Sequence, residues 1–314
     1  MGVFFCNIWW YDKGKQKTRG FPMDDISLIS VDLKPMADVT NNIINKLSQS
    51  IGWAVVPRKS KKEMEVAVET YIKEIQEDDS LPPIVRAAKI CNARKEIKEY
   101  VNLQDILQHA QEFGNEYEKN DEELDEDWAM FFYDKARNVS RDDAKVLWGK
   151  ILAKECNQSD SIPKILIHIL SIMSQKNAEA FEKLCSFIMQ EVDHNGNTFD
   201  ILFVYASNNK LFRDIGLSYE MIRDLEALGL INNCLDLIYG NGDNNKILKF
   251  RYFELNIEIY PQANHGQYTI PCGQYVLTEA GLILSTLIKR KKLEEFKEYI
   301  EKFLLYEKIE FKIN

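Results

Sequence analysis

Two hydrophobic periods alternate along the chain. Val39, Ile43, Leu47 and Ile51 recur at helical spacing, Ile44 widens the stripe, and Gly52 and Pro57 end it. Residues 60–112 keep the helical period in strongly charged sequence. Val66, Val68, Ile72 and Ile75 precede a break at Leu81-Pro82-Pro83, and Ile90, Ile97, Val101 and Leu107 follow it. This predicts two or three charged amphipathic helices, without a heptad sustained enough for a coiled coil. Trp128, Phe131, Phe132, Leu147, Trp148, Ile151 and Leu152 then supply two facing stripes, the pattern of a helical hairpin with an aromatic core. Helices are expected over 163–173 and 175–189, the second with Ala178, Phe181, Leu184, Cys185 and Ile188 on one face.

Strand signals sit at the two ends. Residues 3–11 are aromatic and β-branched, Asp12-Lys13-Gly14-Lys15 has turn chemistry, and an extended stretch over 26–33 stops at Pro35, so residues 1–38 read as a short β arm. A strand is expected over 198–205, and the chain turns β-rich over 247–260 and 268–277. Between them a short helix over 218–228 begins with a Ser218 cap and ends at Gly229. In the middle of the chain Asp127 is placed to cap a helix start and Ser140 to cap the next, with Asp143 three residues on as in a capping box.

The run Asp125-Glu126-Asp127-Trp128, the Val139-Ser140 turn and Leu147-Trp148-Gly149-Lys150-Ile151-Leu152-Ala153-Lys154-Glu155 resemble the signature of a bacterial family called domain of unknown function two-eight-zero-six. The likeness extends back to Asp32-Leu33-Lys34-Pro35 and Ile51-Gly52-Trp53 and forward to Glu182, over most of residues 32–190. Where relatives often continue Ile-Gly-Trp with a tyrosine and an acid, this chain has Ala54-Val55-Val56. The resemblance implies a bacterial source and carries no activity. Farther on, Leu225-Glu226-Ala227-Leu228-Gly229-Leu230-Ile231, the strands, and Leu277-Thr278-Glu279-Ala280-Gly281 resemble a winged helix spanning roughly residues 165–290. The expected fold is mainly α, with a β arm (1–38), a helical body (39–160) and a winged-helix-like α+β domain (161–314).

Composition narrows the chemistry. With 314 residues, 45% of them hydrophobic, the chain is long enough for a sizeable core, and a net charge of −9 makes its mean field repel polyphosphate. Six scattered cysteines form no C-x-x-C pair, which argues against zinc. Cys91, Cys156 and Cys185 are expected to be buried free thiols. No apolar run is long enough for a membrane span and no signal peptide is visible, so the expected location is the cytosol. Trp53-Ala54-Val55-Val56 beside Arg58-Lys59-Ser60-Lys61-Lys62 has the ingredients of a surface anchor, but the polar face of the preceding helix is Asn, Ser and Gln. A core helix ending in a solvated basic turn explains it better.

No phosphate-loop, nucleophile-elbow or zinc-protease motif occurs, and no catalytic residue, cofactor or metal site is expected. Of the four histidines, His168 lies in an apolar helical run and is expected to be packed. The leading expectation is a non-enzymatic protein-interaction or assembly protein, homo-oligomeric, in an anti-phage or stress-response setting. Its candidate residues are those of the family-like motif: Asp127, Trp128, Phe132, Ser140, Trp148 and Glu155. The helix over 218–228 exposes Tyr219, Glu220, Arg223, Asp224 and Glu226, three acids against one base, a poor face for reading DNA. A nucleic-acid regulator remains the alternative, through Arg58, Lys59, Lys61, Lys62, Lys289, Arg290, Lys291 and Lys292. A metal-dependent effector using the acids between residues 121 and 127 is the second alternative, against the simpler reading of a linker or helix start.

Overall fold

The first apolar stripe forms helix α1 (Asn42–Ile51), whose Ile43, Ile44, Leu47 and Ile51 are all buried. The computed structural model describes residues 42–52, 61–114, 122–193, 195–204, 210–241, 247–260, 262–264 and 267–314; the expected β arm, the patch at residues 53–56, and Arg58 and Lys59 lie outside them. The charged region gives α2 (Lys61–Glu77), which opens on Lys61 and Lys62, and the long α3 (Pro83–Gly114), separated by the expected proline break. The signature gives α4 (Glu126–Ala136) and α5 (Asp142–Asn157). They are followed by α6 (Lys164–Ile172) and α7 (Gln175–Cys185).

The seventh helix is shorter than its hydrophobic period predicts. It stops at Cys185, and the chain continues as β1 (Ile188–Val192) and β2 (Thr198–Leu202). Phe187, Ile188 and Met189 are all buried, and a short run buried on both faces fits helix and strand periods alike. Then come α8 (Lys210–Asp214), α9 (Tyr219–Ala227), β3 (Ile231–Asn241), β4 (Leu248–Tyr252), β5 (Leu255–Tyr260), β6 (Gln262–Asn264), β7 (Gln267–Leu277), α10 (Glu279–Leu287), α11 (Phe296–Tyr306) and β8 (Glu310–Ile313). The chain is mainly helical, with antiparallel sheet confined, among the described residues, to its C-terminal part.

Two sheets are built there. One has the order β2-β1-β4-β5-β8 and the other β3-β7-β6, all neighbours antiparallel. The β4-β5 hairpin leaves the stretch between β3 and β7 to pair with β1, which ties the two sheets together in sequence. A parallel bridge between Val204 and Gly273, with Gln274 N donating to Val204 O at 2.8 Å, sets the segment after β2 beside β7.

Residues 38–314 form one compact unit, and among those described the buried apolar residues, apart from Ile75 and Ala93 in the α2-α3 hairpin, make one continuous cluster from Ile43 to Ile309, running past residue 160. In the helical part, Phe132 stacks on Trp128 and meets Trp148 with ring centroids 5.4 Å apart. The expected facing stripes of α4 and α5 therefore touch, but the main neighbour of α5 is α3. A second aromatic group joins Phe187, Phe212, Tyr252, Phe296 and Tyr299, with Tyr252 stacked on Phe296 at 3.8 Å. Tyr252 Oη donates to Ser186 O and accepts from Leu293 N, so one buried side chain links the end of α7, β4 and the approach to α11.

Candidate functional site

The signature residues converge on a loop. Trp128 is buried in α4 and its indole N–H donates to Ile162 O at 2.7 Å. Glu155, 2% exposed near the end of α5, accepts from Ile162 N at 2.8 Å, Asp160 N at 3.0 Å and Ser161 Oγ at 3.3 Å. Two helices thus grip residues 160–162 from both sides and fix the entry into α6. Burial pushes the Glu155 carboxyl above its ordinary range while the three hydrogen bonds pull the other way. With Phe132 and Trp148 also buried, four of the six motif residues face the interior and hold packing in place.

Asp127 and Ser140 do not do what their positions suggest. The cap of α4 is Asp125, whose carboxylate accepts from Trp128 N at 2.7 Å, while Asp127 is exposed in the first turn. An Asp-Glu-Asp run offers several carboxylates within one turn of the same start, so the register is set by which of them the fold leaves non-helical. Ser140 is exposed, and the cap position of α5 is Arg141, without a side-chain cap bond. Asp143 pairs with Arg141 instead of closing a capping box.

Glycines of the signature stretch and of the Leu-Thr-x-x-Gly stretch are a feature that pattern reading passed over. A Cβ on Gly149 would lie 2.5 Å from His109 Cβ and 2.9 Å from Ala110 N, so α5 crosses α3 at backbone contact. A Cβ on Gly281 would lie 2.0 Å from Leu230 O. There Thr278 caps α10 by accepting from Gly281 N, donates from Oγ1 to Gly229 O at 2.6 Å, and gives its own N–H to Leu230 O. That stretch is a clasp between the end of α9 and the start of α10.

Two burial expectations are corrected. Cys156 and Cys185 are buried, and burial pushes the Cys156 thiol up to about 12 and that of Cys185 higher still, but Cys91 is exposed. It lies on the half of α3 where few residues are covered. His168 is exposed as well; Leu166, Ile167, Ile169 and Leu170 turn inward and leave it on the outer side of α6 with Ile165 and Ile172.

The surfaces left for contact can be named. A cleft of about 220 Å³ lies between α5, the α6-α7 junction and the end of α10, with Leu147, Leu170, Met173, Phe181, Leu284 and Leu287 among its apolar lining. Its polar rim is mixed in sign, with Arg141, Lys150 and Lys289 beside Asp143 and Glu182. On α9, capped by Ser218 as expected, Tyr219 is 55% exposed, Glu220, Arg223 and Asp224 are exposed, and Glu226 is half-buried. The basic cluster after α10 is largely met by acids of the same chain: Arg290 pairs with Asp200 at 3.3 Å, Lys291 with Glu182 at 3.6 Å, and Lys292 with Glu254. The acids over 122–127 lead into and open α4, with Asp125 also 3.7 Å from Lys164. Among the described residues no group of three His, Cys, Asp or Glu side chains is arranged to hold a metal ion. No helix among them is long and apolar enough to cross a membrane.

Fold and motif together define a mainly helical protein whose signature residues build its interior around one loop. A family model described as "Protein of unknown function (DUF2806)" matches residues 86–301, and the chain belongs to that family. The match begins within α3 and runs on into α11, taking in the two-sheet region beyond the stretch whose motifs carry the sequence resemblance. No curated protein and no solved structure matches the chain.

Proposed function

We propose that the protein is a non-enzymatic assembly protein in which α8, α9, β3 and β7 work as a winged-helix-like unit that contacts another protein through α9. The order of elements supports this reading: a short helix, a tight turn at Gly216, a second helix, and two paired antiparallel strands closed by the Thr278 clasp. The observation that carries it is the exposed face of α9, an aromatic ring flanked by Glu220 and Asp224 with Arg223 as the one base. Carboxylates there repel phosphate, whereas a tyrosine in a polar surround is a common anchor in protein contacts. The partner that fits is a basic protein surface with an apolar notch.

The test is retention of a partner by the full-length chain and by Tyr219→Ala/Glu220→Lys/Asp224→Lys, which alters only exposed positions. Loss of a specific partner in the variant, with melting temperature unchanged, is the expected result; equal retention by both contradicts it. The stress or anti-phage setting rests on sequence resemblance, and phage plating on hosts with and without the gene decides it: equal plating removes that setting.

A further inference from the structure

The hairpin of α2 and α3 carries two unpartnered faces of opposite character, and we infer that it joins copies of this chain head to tail, the outer face of α3 on one copy seating against the outer face of α2 on the next. Only the second half of α3 is embedded: Asn102, Leu103, Gln104, Ile106, Leu107 and Ala110 are buried, whereas Ala93 is the one buried residue before them. Residues 83–100 extend roughly 27 Å at the helical rise, with α2 packed along them.

Burial assigns the faces. On α3, Arg86, Ile90, Ala93, Ile97 and Val101 are covered and lie on one side. The opposite side presents Ile84 at 80% exposure, then Ala87, Ala88 and Cys91, all exposed at the i, i+3, i+4, i+7 spacing of a single stripe. That stripe continues into Arg94 and Lys98, both exposed and neither in an ion pair among the described residues. On α2, Val68, Tyr71, Ile72 and Ile75 are covered. The far side presents Val66 at 57% exposure and Thr70, with Glu69, Glu74 and Glu77 against Lys73.

Charge chooses the partner. The outer face of α2 has Glu69, Glu74 and Glu77 against Lys73, while the outer stripe of α3 ends in the cations Arg94 and Lys98. Pairing α3 with α3 brings like charges together, and pairing α2 with α2 does the same. Only α3 on α2 sets cations against carboxylates and an apolar stripe against Val66, with the alanines letting the two helices approach closely. Because the two faces point away from each other on the hairpin, the contact is heterologous, and each copy offers one donor face and one acceptor face. This surface is separate from α9, so the α9 variant above is expected to self-associate like the unaltered chain.

Blocking each face in turn on the full-length chain tests it. Ala88→Glu/Cys91→Glu adds bulk to the α3 face and sets carboxylates against the glutamates of the next copy's α2, and Val66→Arg/Thr70→Arg sets cations on α2 against the basic face of α3. In light scattering over a rising concentration series, the unaltered chain is expected to climb above the single-chain mass of 36.6 kDa. Each variant alone is expected to stay at that mass, and an equimolar mixture to form a one-to-one complex and stop, since it retains one intact face of each kind. Circular dichroism confirms that the variants are folded; Arg94→Glu/Lys98→Glu is a second α3 block, expected to be monomeric alone. An unaltered chain that remains single at every concentration, variants that associate as it does, or folded variants that fail to recombine would overturn the inference.

Discussion

At the residue scale, Glu155 shows how a motif acid can be architectural. Its carboxylate caps no helix and faces no cleft; it collects three donors from one loop in an apolar interior. Burial raises its proton affinity in the folded state above that of the unfolded chain. Stability from this group is therefore fullest below the ordinary glutamate value and declines as pH rises through the raised folded one. Glu155→Gln removes the titration and leaves three donors to share one amide oxygen, a loss of about 1–3 kcal/mol. Melting curves of the two proteins should lie farthest apart at acid pH and draw together toward neutrality; a gap that widens with pH contradicts the assignment. Alkylation mapped by mass spectrometry checks the thiols: in protein dilute enough to be a single chain Cys91 should react, and Cys156 and Cys185 only after unfolding. Protection of Cys91 even at that dilution contradicts its exposure.

At the scale of elements, helices with a clear stripe were legible and their edges less so. α1, the break between α2 and α3, both signature helices and the Ser218 cap of α9 follow directly from spacing and capping chemistry. The α7-to-β1 switch was hidden because Cys185, Phe187, Ile188 and Met189 are buried on every side, so no alternation marks the change of period. Gly149 and Gly281 were invisible for a different reason: what they permit is a close approach by residues distant in sequence. Gly149→Ala should cost about 1–3 kcal/mol by prising α5 off α3, and Gly281→Ala more, since its new methyl would lie 2.0 Å from Leu230 O, closer than the 2.5 Å to His109 Cβ at Gly149. Chemical denaturation measures both, and a loss below half a kilocalorie at either site, on the order of an ordinary surface change, contradicts the packing described. In protein dilute enough to be a single chain, hydrogen exchange should divide α3 in two, the half before Tyr100 exchanging faster than the half from Asn102 onward. Uniform protection at that dilution contradicts the division.

For the whole molecule, the sequence pattern indicated the helical class and the signature stretch, and the fold explains what most of that signature is for. Partition between interior and surface was legible only in part: Trp128, Phe132 and Trp148 hold the aromatic core that their spacing indicated and Tyr219 is exposed as expected, but the candidate contact residue Glu155 is buried and Cys91, expected inside, lies outside. The balance of charge has the same whole-chain character: a net −9 is spread so that three of the four cations over 289–292 already face acids. Self-neutralised cations release few counterions, so they contribute little to polyanion binding.

That balance makes titration with duplex and single-stranded nucleic acid at low salt, where phosphate affinity is greatest, the most direct check on the proposal that the surface meets proteins and not nucleic acid. The account predicts no retardation of either at micromolar protein. Binding that weakens steeply with added salt and disappears when Lys289, Arg290, Lys291 and Lys292 are reversed in charge would contradict it.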